Sequence, residues 1–198
     1  ALLRTLFEAA EERLRLGHKQ HGRSELVTVR QKELAAELGW KASAIRAHSK
    51  RLPDSYWLAE PLHSQVSNAL QVATAEAHFG DARPSVIAED DRESGATRIS
   101  VFTPDREGLF YRICAGLASA GANIIDARIH TTRDGMALDN LLVLDGRSKP
   151  YSDKRLRGRL VKAVEAALLS EEAPPLPAPA ERPKSAACKV PPSVALAD

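Results

Sequence analysis

The segment at residues 98–145 constrains the fold more than any other part of the chain, because its hydrophobic period changes twice. Ile99 and Val101 alternate with Arg98 and Ser100, which is the period of a strand, whereas Leu109, Ile113 and Leu117 recur every four residues. Beyond this helical stretch the strand alternation returns. The segment therefore predicts a strand, a helix and a second strand in succession.

A tight turn is predicted at Arg133-Asp134-Gly135, after the second strand. Asp134 and Gly135 both tolerate the positive φ that a type I′ hairpin requires. A third strand then runs up to Asp145. The sequence thus predicts a β-hairpin after the βαβ unit.

The remaining C-terminal residues predict one more helix and one more strand. Leu156, Leu160, Val164 and Leu168 mark an amphipathic helix, with Ser152 as its N-cap.

Residues 171–187 are rich in proline and alanine and are interpreted as a solvated insertion before a strand-like tail. The predicted fold class is therefore α+β. A ferredoxin-like βαββαβ domain, with an antiparallel sheet and two helices on one face, occupies residues 97–198.

The N-terminal part, residues 1–79, is predicted to be helical. An amphipathic helix at 2–16 is expected to break at Gly17, Gly22 and Ser24. Tyr56 and Trp57 are interpreted as packing anchors. A following helix is predicted from its apolar stripe, Leu62, Val66, Leu70 and Ala73. Residues 80–96 are interpreted as a linker containing a short strand at 85–88 that can pair with the sheet edge.

The segment at residues 26–52 permits two interpretations. Ala35, Gly39 and Ile45 have the spacing of a helix-turn-helix unit, in which Ser43, Arg46 and His48 would face a DNA groove. Alternatively, two ordinary helices meet at a glycine C-cap.

Charge and cysteine content exclude several classes of protein. The 28 basic and 26 acidic residues leave a net charge of +2, so no whole-chain field favours nucleic acid or an anionic membrane. Cys114 and Cys188 are too few for a zinc site, and Cys114 is expected to be a buried free thiol in a cytoplasmic protein. No apolar run approaches a membrane span, and the chain opens inside a helical pattern without Met, as expected of a fragment.

The sequence offers no catalytic constellation. It contains no His-Asp pair, G-x-G-x-x-G motif, P-loop or G-x-S-x-G elbow. His18 and His21 share a loop with basic residues that would repel a cation, and the adjacent Asp90 and Asp91 are interpreted as solvated. The chain is expected to be non-catalytic and to hold no metal.

The turn Thr103-Pro104-Asp105-Arg106-Glu107-Gly108-Leu109 is the main candidate for ligand contact. Free backbone amides at the start of the next helix can bind a small anion such as a carboxylate. Asp105 can instead cap that helix or accept a ligand ammonium. From these residues alone a simple capped turn and a binding loop both remain open.

Residues 103–129 closely resemble an ACT domain, whose pattern is D-x-P-G-L, a helix, then G-x-N-I. In ACT domains the ligand generally lies between the loop of one module and the second-strand head of another. The resemblance therefore nominates an amino-acid site, comprising Asp105, Arg106, Gly108, Asn123 and Ile124. Glu107 stands where the family usually has proline.

A wider resemblance, to the bifunctional PII uridylyltransferase/uridylyl-removing enzymes, rests on ARIHTTRDGMALDNLLVLD, LPDSYWLAEP and the proline-rich insertion before K-V-P-P-x-V. It implies that residues 1–79 are the tail of an HD hydrolase region and 97–198 the first of two ACT domains. Both catalytic centres, the nucleotidyltransferase and the phosphodiesterase, would then lie upstream. The whole enzyme would need Mg²⁺, whereas this chain would carry no cofactor.

The same resemblance implies glutamine as effector, the PII protein as partner, and a second ACT domain or a second copy of the chain to complete the site. The alternative function is an amino-acid-responsive DNA-binding regulator, and a third is a passive dimerisation module. Glutamine binding tests the first of these functions, binding to duplex DNA tests the second, and sedimentation with and without amino acids tests the third.

Overall fold

The computed structural model describes residues 20–78 and 83–172, with side chains from residue 22. The helix predicted at 2–16, the side chains of His18 and His21, Cys188 and the tail strand lie outside the described residues. No helix in the described part is long and apolar enough to cross a membrane.

In the described part of the chain four helices come first: α1 (Gln20–Leu38), α2 (Ala42–Arg51), α3 (Asp54–Ala59) and α4 (Leu62–His78). The predicted break at Gly22 and Ser24 is wrong, because α1 runs through both residues. Helix α1 ends before Gly39, whose amide donates to Ala35 O over 3.1 Å and whose φ is +61°. Gly39 is therefore the glycine C-cap of α1, a feature that both interpretations of residues 26–52 place here.

A four-stranded antiparallel sheet with two helices follows. Its elements in chain order are β1 (Ser85–Asp91), β2 (Ala96–Pro104), α5 (Leu109–Ser119), β3 (Asn123–Arg128), β4 (Met136–Leu144) and α6 (Lys154–Leu169). The spatial order of the strands is β1-β2-β4-β3. The predicted α+β class is confirmed, and the predicted edge pairing of 85–88 occurs and extends to Asp91. Strand β1 therefore occupies the side of β2 away from β4.

Each face of the sheet carries its own hydrophobic core. Helices α5 and α6 cover one face, where Ile99, Val101, Ile113, Leu141 and Val164 are buried together. The first four helices cover the other face, where Tyr56 and Trp57 pack with sheet residues that include Phe102 and Leu138. The anchor role predicted for Tyr56 and Trp57 is confirmed, since they are 0% and 1% exposed. Both faces of the central strands are thus buried.

Two predicted local features differ in the structure. The hairpin turn has positive φ at Gly135 but not at Asp134, and Gly135 N donates to Thr132 O over 3.0 Å. The turn is therefore not type I′, which needs two residues of positive φ. Helix α6 is capped by Asp153 rather than by the predicted Ser152, because Oδ1 of Asp153 accepts a hydrogen bond from Arg155 N over 2.6 Å.

Candidate functional site

The candidate binding loop joins the end of β2 to the start of α5 and is tied to the β3–β4 hairpin. Asp105 N donates to Gly135 O over 3.0 Å, and Asp105 Oδ2 accepts from Thr131 Oγ1 over 3.0 Å. Asp105, Arg106, Glu107 and Gly108 are all exposed. Two anchors therefore hold this loop in place while its surface faces outward.

The start of α5 has no side-chain cap. Gly108 is its N-cap residue, in the left-handed region with φ +73°. Asp105, a candidate cap, instead accepts the hydrogen bond from Thr131. A residue with a β-carbon is strained at this φ, so glycine is the suitable residue for the turn. Asp105 therefore does not cap α5, and ligand binding by this loop stays a prediction.

Arg106 contacts the C-terminal end of α6. Its guanidinium donates to Leu168 O at the C-terminal end of α6. Arg112 donates to Ala167 O in the last turn of α6, and to the carbonyls of Ser170, Glu171 and Glu172 after it, over 2.7 Å in the case of Ser170. Cations at a helix C-terminus satisfy its free carbonyls and favour its dipole. The observed contact of Arg106 is thus structural, and Asp105 with the loop backbone forms the exposed surface.

Asn123 and Ile124 lie at the opposite end of the sheet from the loop. Ile124 pairs with Val143, which pairs with Thr97 near the start of β2, whereas the loop follows Pro104. The seven residue steps from Thr97 to Pro104 correspond to about 23 Å of strand. Asn123 is exposed, whereas Ile124 packs partly against the core. One copy of the chain therefore does not bring the nominated residues together.

A buried polar group near the loop was missed by sequence reasoning. Asp139 of β4 is 1% exposed, and burial raises its pKa to about 6 although His130 N donates to Oδ1 over 3.3 Å. The charge of Asp105 also raises the pKa of Asp139. The signal available in the sequence was a lone aspartate within the apolar strand pattern MALDNLLVL; the structure places it opposite Val101.

His130 is the second missed residue, and it links the sheet to the first four helices. His130 Nε2 lies 2.9 Å from Glu60 Oε1, and the His130 ring meets Tyr56 edge-on at 5.1 Å between centroids. Burial raises the pKa of Glu60, but His130, Asn140 and Arg128 outweigh burial and hold this pKa below its usual value. Glu60 and His130 therefore form a buried polar contact between the two parts of the chain.

The structure also revises several single-residue expectations. His48, a nominated DNA contact, is buried. Burial, and after it the charge of Arg51, lowers the pKa of His48 to about 4, whereas Ser43 and Arg46 are exposed.

Cys114 is a free thiol but only half-buried. Asp91 is buried rather than solvated, and accepts from Ser94 N over 3.0 Å. No group of three or more potential metal-ligating side chains occurs within residues 22–78 and 83–172.

Comparison with known proteins gives one consistent result. No protein-family model matches the chain. A bifunctional uridylyltransferase/uridylyl-removing enzyme of Erythrobacter litoralis is 46% identical over 84% of the chain. Enzymes of the same name from Novosphingobium aromaticivorans and Zymomonas mobilis are 41% and 36% identical over 98% and 85% of it. The chain spans only 18–21% of the length of these three relatives.

Proposed function

This chain belongs to the bifunctional uridylyltransferase/uridylyl-removing enzyme family, and we propose that it forms the glutamine-sensing regulatory region of such an enzyme. In this proposal the ACT domain binds glutamine and biases the enzyme between uridylylating the PII protein and removing the uridylyl group. The catalytic centres and their Mg²⁺ belong to other parts of the enzyme.

The observation that supports a shared site is the separation of its two nominated halves. Asp105 and Gly108 are exposed at one end of the sheet, and Asn123 is exposed at the other. A small ligand cannot bridge about 23 Å within one copy. A second ACT domain, or a second copy of this chain, supplies the other half by placing its strand head against this loop.

The loop offers groups suited to an amino acid. The Asp105 carboxylate can accept from a ligand ammonium, and the start of α5 carries the positive end of a helix dipole for the ligand carboxylate. The loop also contacts Thr131 and Gly135 of the hairpin. A ligand at the loop therefore acts on the segment that includes His130, the residue in contact with Glu60.

The packing of the first four helices on the sheet provides a route for regulation. These helices are proposed to be the tail of the HD hydrolase region, and they share a core with Phe102, Met136 and Leu138. Glutamine can shift the enzyme between two arrangements only if its affinity differs between them. We expect the affinity for glutamine to differ because the start of the neighbouring module's second strand packs differently against the loop in the two arrangements.

The proposal is tested by calorimetric titration of L-glutamine into the 198-residue chain at a concentration where the chain self-associates. We expect saturable heat that Asp105→Ala weakens by at least tenfold, which corresponds to loss of about 1.4 kcal/mol or more. The control Asp90→Ala removes an exposed carboxylate on β1 and should leave the affinity unchanged. Absence of heat beyond dilution at millimolar glutamine would refute glutamine sensing by this chain.

A further inference from the structure

Arg51, the last residue of α2, contacts three other parts of the chain. Its Nη1 donates to Glu76 Oε1 of α4. Its Nε lies 2.7 Å from Asp134 Oδ2 in the β3–β4 hairpin, in an ion pair that lacks hydrogen-bond geometry at Nε. The guanidinium carbon also lies 5.6 Å from the centre of the Phe102 ring of β2, within the range of a cation–π contact. One side chain therefore connects α2 and α4 with the sheet and its hairpin.

A backbone hydrogen bond attaches the hairpin at the same place. Arg133 N donates to Arg51 O over 2.8 Å. Because α2 ends at Arg51, this carbonyl is one of those that lack a partner within the helix, and the hairpin supplies the partner. The hairpin is thus attached to α2 through both the backbone and the side chain of Arg51.

The same hairpin holds the candidate binding loop. Gly135 O accepts from Asp105 N over 3.0 Å, and Thr131 Oγ1 donates to Asp105 Oδ2 over 3.0 Å. Asp134 directly precedes Gly135, so the ion pair with Arg51 and the hydrogen bond to the loop are made by adjacent residues. The position of the Asp105 carboxylate therefore depends on the hairpin, and the position of the hairpin depends on Arg51.

The exposure of these groups indicates a local role for Arg51. The Arg51 side chain is 21% exposed, whereas those of Glu76 and Asp134 are 46% and 48% exposed. Ion pairs with carboxylates this exposed contribute little to overall stability. The backbone bond from Arg133 to Arg51 also survives any change of the side chain. Loss of the guanidinium is therefore expected to loosen the hairpin locally and to leave the chain folded.

We propose that Arg51 is a positioning residue for the binding loop, which holds the Asp105 carboxylate in place through the hairpin and couples a ligand at the loop to helices α2 and α4. Coupling of this kind is reciprocal, so a ligand that prefers the positioned loop also favours the arrangement in which Arg51 contacts the hairpin. The coupling rests on the proposed function, in which the ligand is glutamine. The positioning of the loop does not.

Hydrogen exchange of single backbone amides in the 198-residue chain tests the positioning role without a ligand. Arg51→Met removes the charge and keeps an unbranched side chain at the end of α2. We expect the Asp105 amide to exchange at least tenfold faster than in the wild type, while the amide of Ile99, in the middle of β2, changes less than twofold. A role in overall stability alone would speed the exchange of Ile99 and would not single out Asp105.

Two further variants complete this experiment. Lys50→Met, the matched control, removes the exposed cation next to Arg51 and should leave both exchange rates within twofold of the wild type. Asp134→Asn removes only the carboxylate charge on the hairpin and should speed exchange at Asp105 at least threefold. Unchanged exchange at Asp105 in a folded Arg51→Met chain would overturn the proposal. If Arg51→Met does not fold, unchanged exchange in Asp134→Asn overturns it instead.

Calorimetric titration of L-glutamine tests the coupling. Arg51→Met should weaken glutamine binding at least fivefold, because the loop that carries Asp105 is less well positioned. Faster exchange at Asp105 together with no glutamine binding by the wild-type chain would support the positioning role and refute glutamine sensing. Glutamine affinity that stays within twofold in Arg51→Met, although its Asp105 amide exchanges faster, would overturn the coupling and leave the glutamine proposal standing.

Discussion

Asp139 shows how a single carboxyl group can set the pH dependence of stability. It lies on the sheet face covered by α5, close enough to Cys114 for its charge, after burial, to raise the pKa of that thiol. Burial raises the Asp139 pKa from 3.8 to about 6. The folded chain therefore binds this proton more tightly than the unfolded chain, and the Asp139 contribution to stability is greatest below about pH 4 and declines as the pH rises to about 6.

Asp139→Asn removes the charge and keeps an oxygen that can accept from His130 N. We expect the variant to be more stable than the wild type at pH 8, by on the order of 2 kcal/mol, and close to it at pH 4. Urea unfolding midpoints at the two pH values measure the difference. The control Asp90→Asn, at an exposed carboxylate, should show no such dependence. Equal stability of Asp139→Asn and wild type at pH 8 would disprove this assignment.

At the scale of elements, the contact between α5 and α6 depends on Gly116. A β-carbon added there would lie 2.9 Å from both Ala163 O and Val164 Cα. Because both atoms belong to the backbone of α6, the helices must separate to accept it. Gly116→Ala should therefore destabilise the chain by about 1–3 kcal/mol.

Gly158 of α6 is the matched control, since an added β-carbon there meets nothing within 4 Å. Gly158→Ala should be neutral or stabilising by up to about 1 kcal/mol, because alanine favours a helix over glycine. Thermal unfolding of both variants checks the pair. If Gly116→Ala unfolds at the same temperature as the wild type, the helices are not in the close contact described here.

Periodicity predicted the helices and strands of the described region better than it predicted their buried faces. The α4 helix was predicted from Leu62, Val66, Leu70 and Ala73, yet Leu70 is 49% exposed. Its buried residues include several polar ones, Ser64, Gln65, Asn68 and Gln71. The reason is tertiary, because α4 packs on a sheet face that carries Arg98, Ser100 and Asn140.

Hydrogen bonds compensate for this polar interface. Gln71 Nε2 donates to Ser85 O over 2.9 Å and lies 3.2 Å from Ser100 O. Asn68 Nδ2 donates to Tyr56 Oη over 3.2 Å. In the sequence, alternating polar residues in β2 and β4 resemble a solvent-facing side of a sheet. Only the docking of the first four helices makes them interior, so this polar interface could not be predicted from the pattern.

At the scale of the whole molecule, both faces of the sheet are covered by helices, whereas the loop at 105–108, at one end of the sheet, is exposed. The sequence pattern located this loop and the strand head at Asn123, because the turn and glycine signals are local. The pattern could not predict that Asp105 bonds to Thr131 of the hairpin, 26 positions away, or that Arg106 donates to Leu168 O of α6, 62 positions away. Both contacts depend on the tertiary fold. The nominated site therefore remains a prediction that requires two copies or two modules.

Mixing two binding-deficient variants tests the shared glutamine site most directly. Asp105→Ala impairs the loop half and Asn123→Ala impairs the strand-head half, so each variant alone should bind glutamine at a shared site at least tenfold more weakly than the wild type. An equal mixture that exchanges freely contains one half of its dimers as heterodimers, and one of the two sites in each is intact. Calorimetry of the mixture should recover about a quarter of the wild-type stoichiometry at wild-type affinity. Wild-type binding by either variant alone, or no recovery in an exchanging mixture, would contradict a glutamine site built between two copies of this chain.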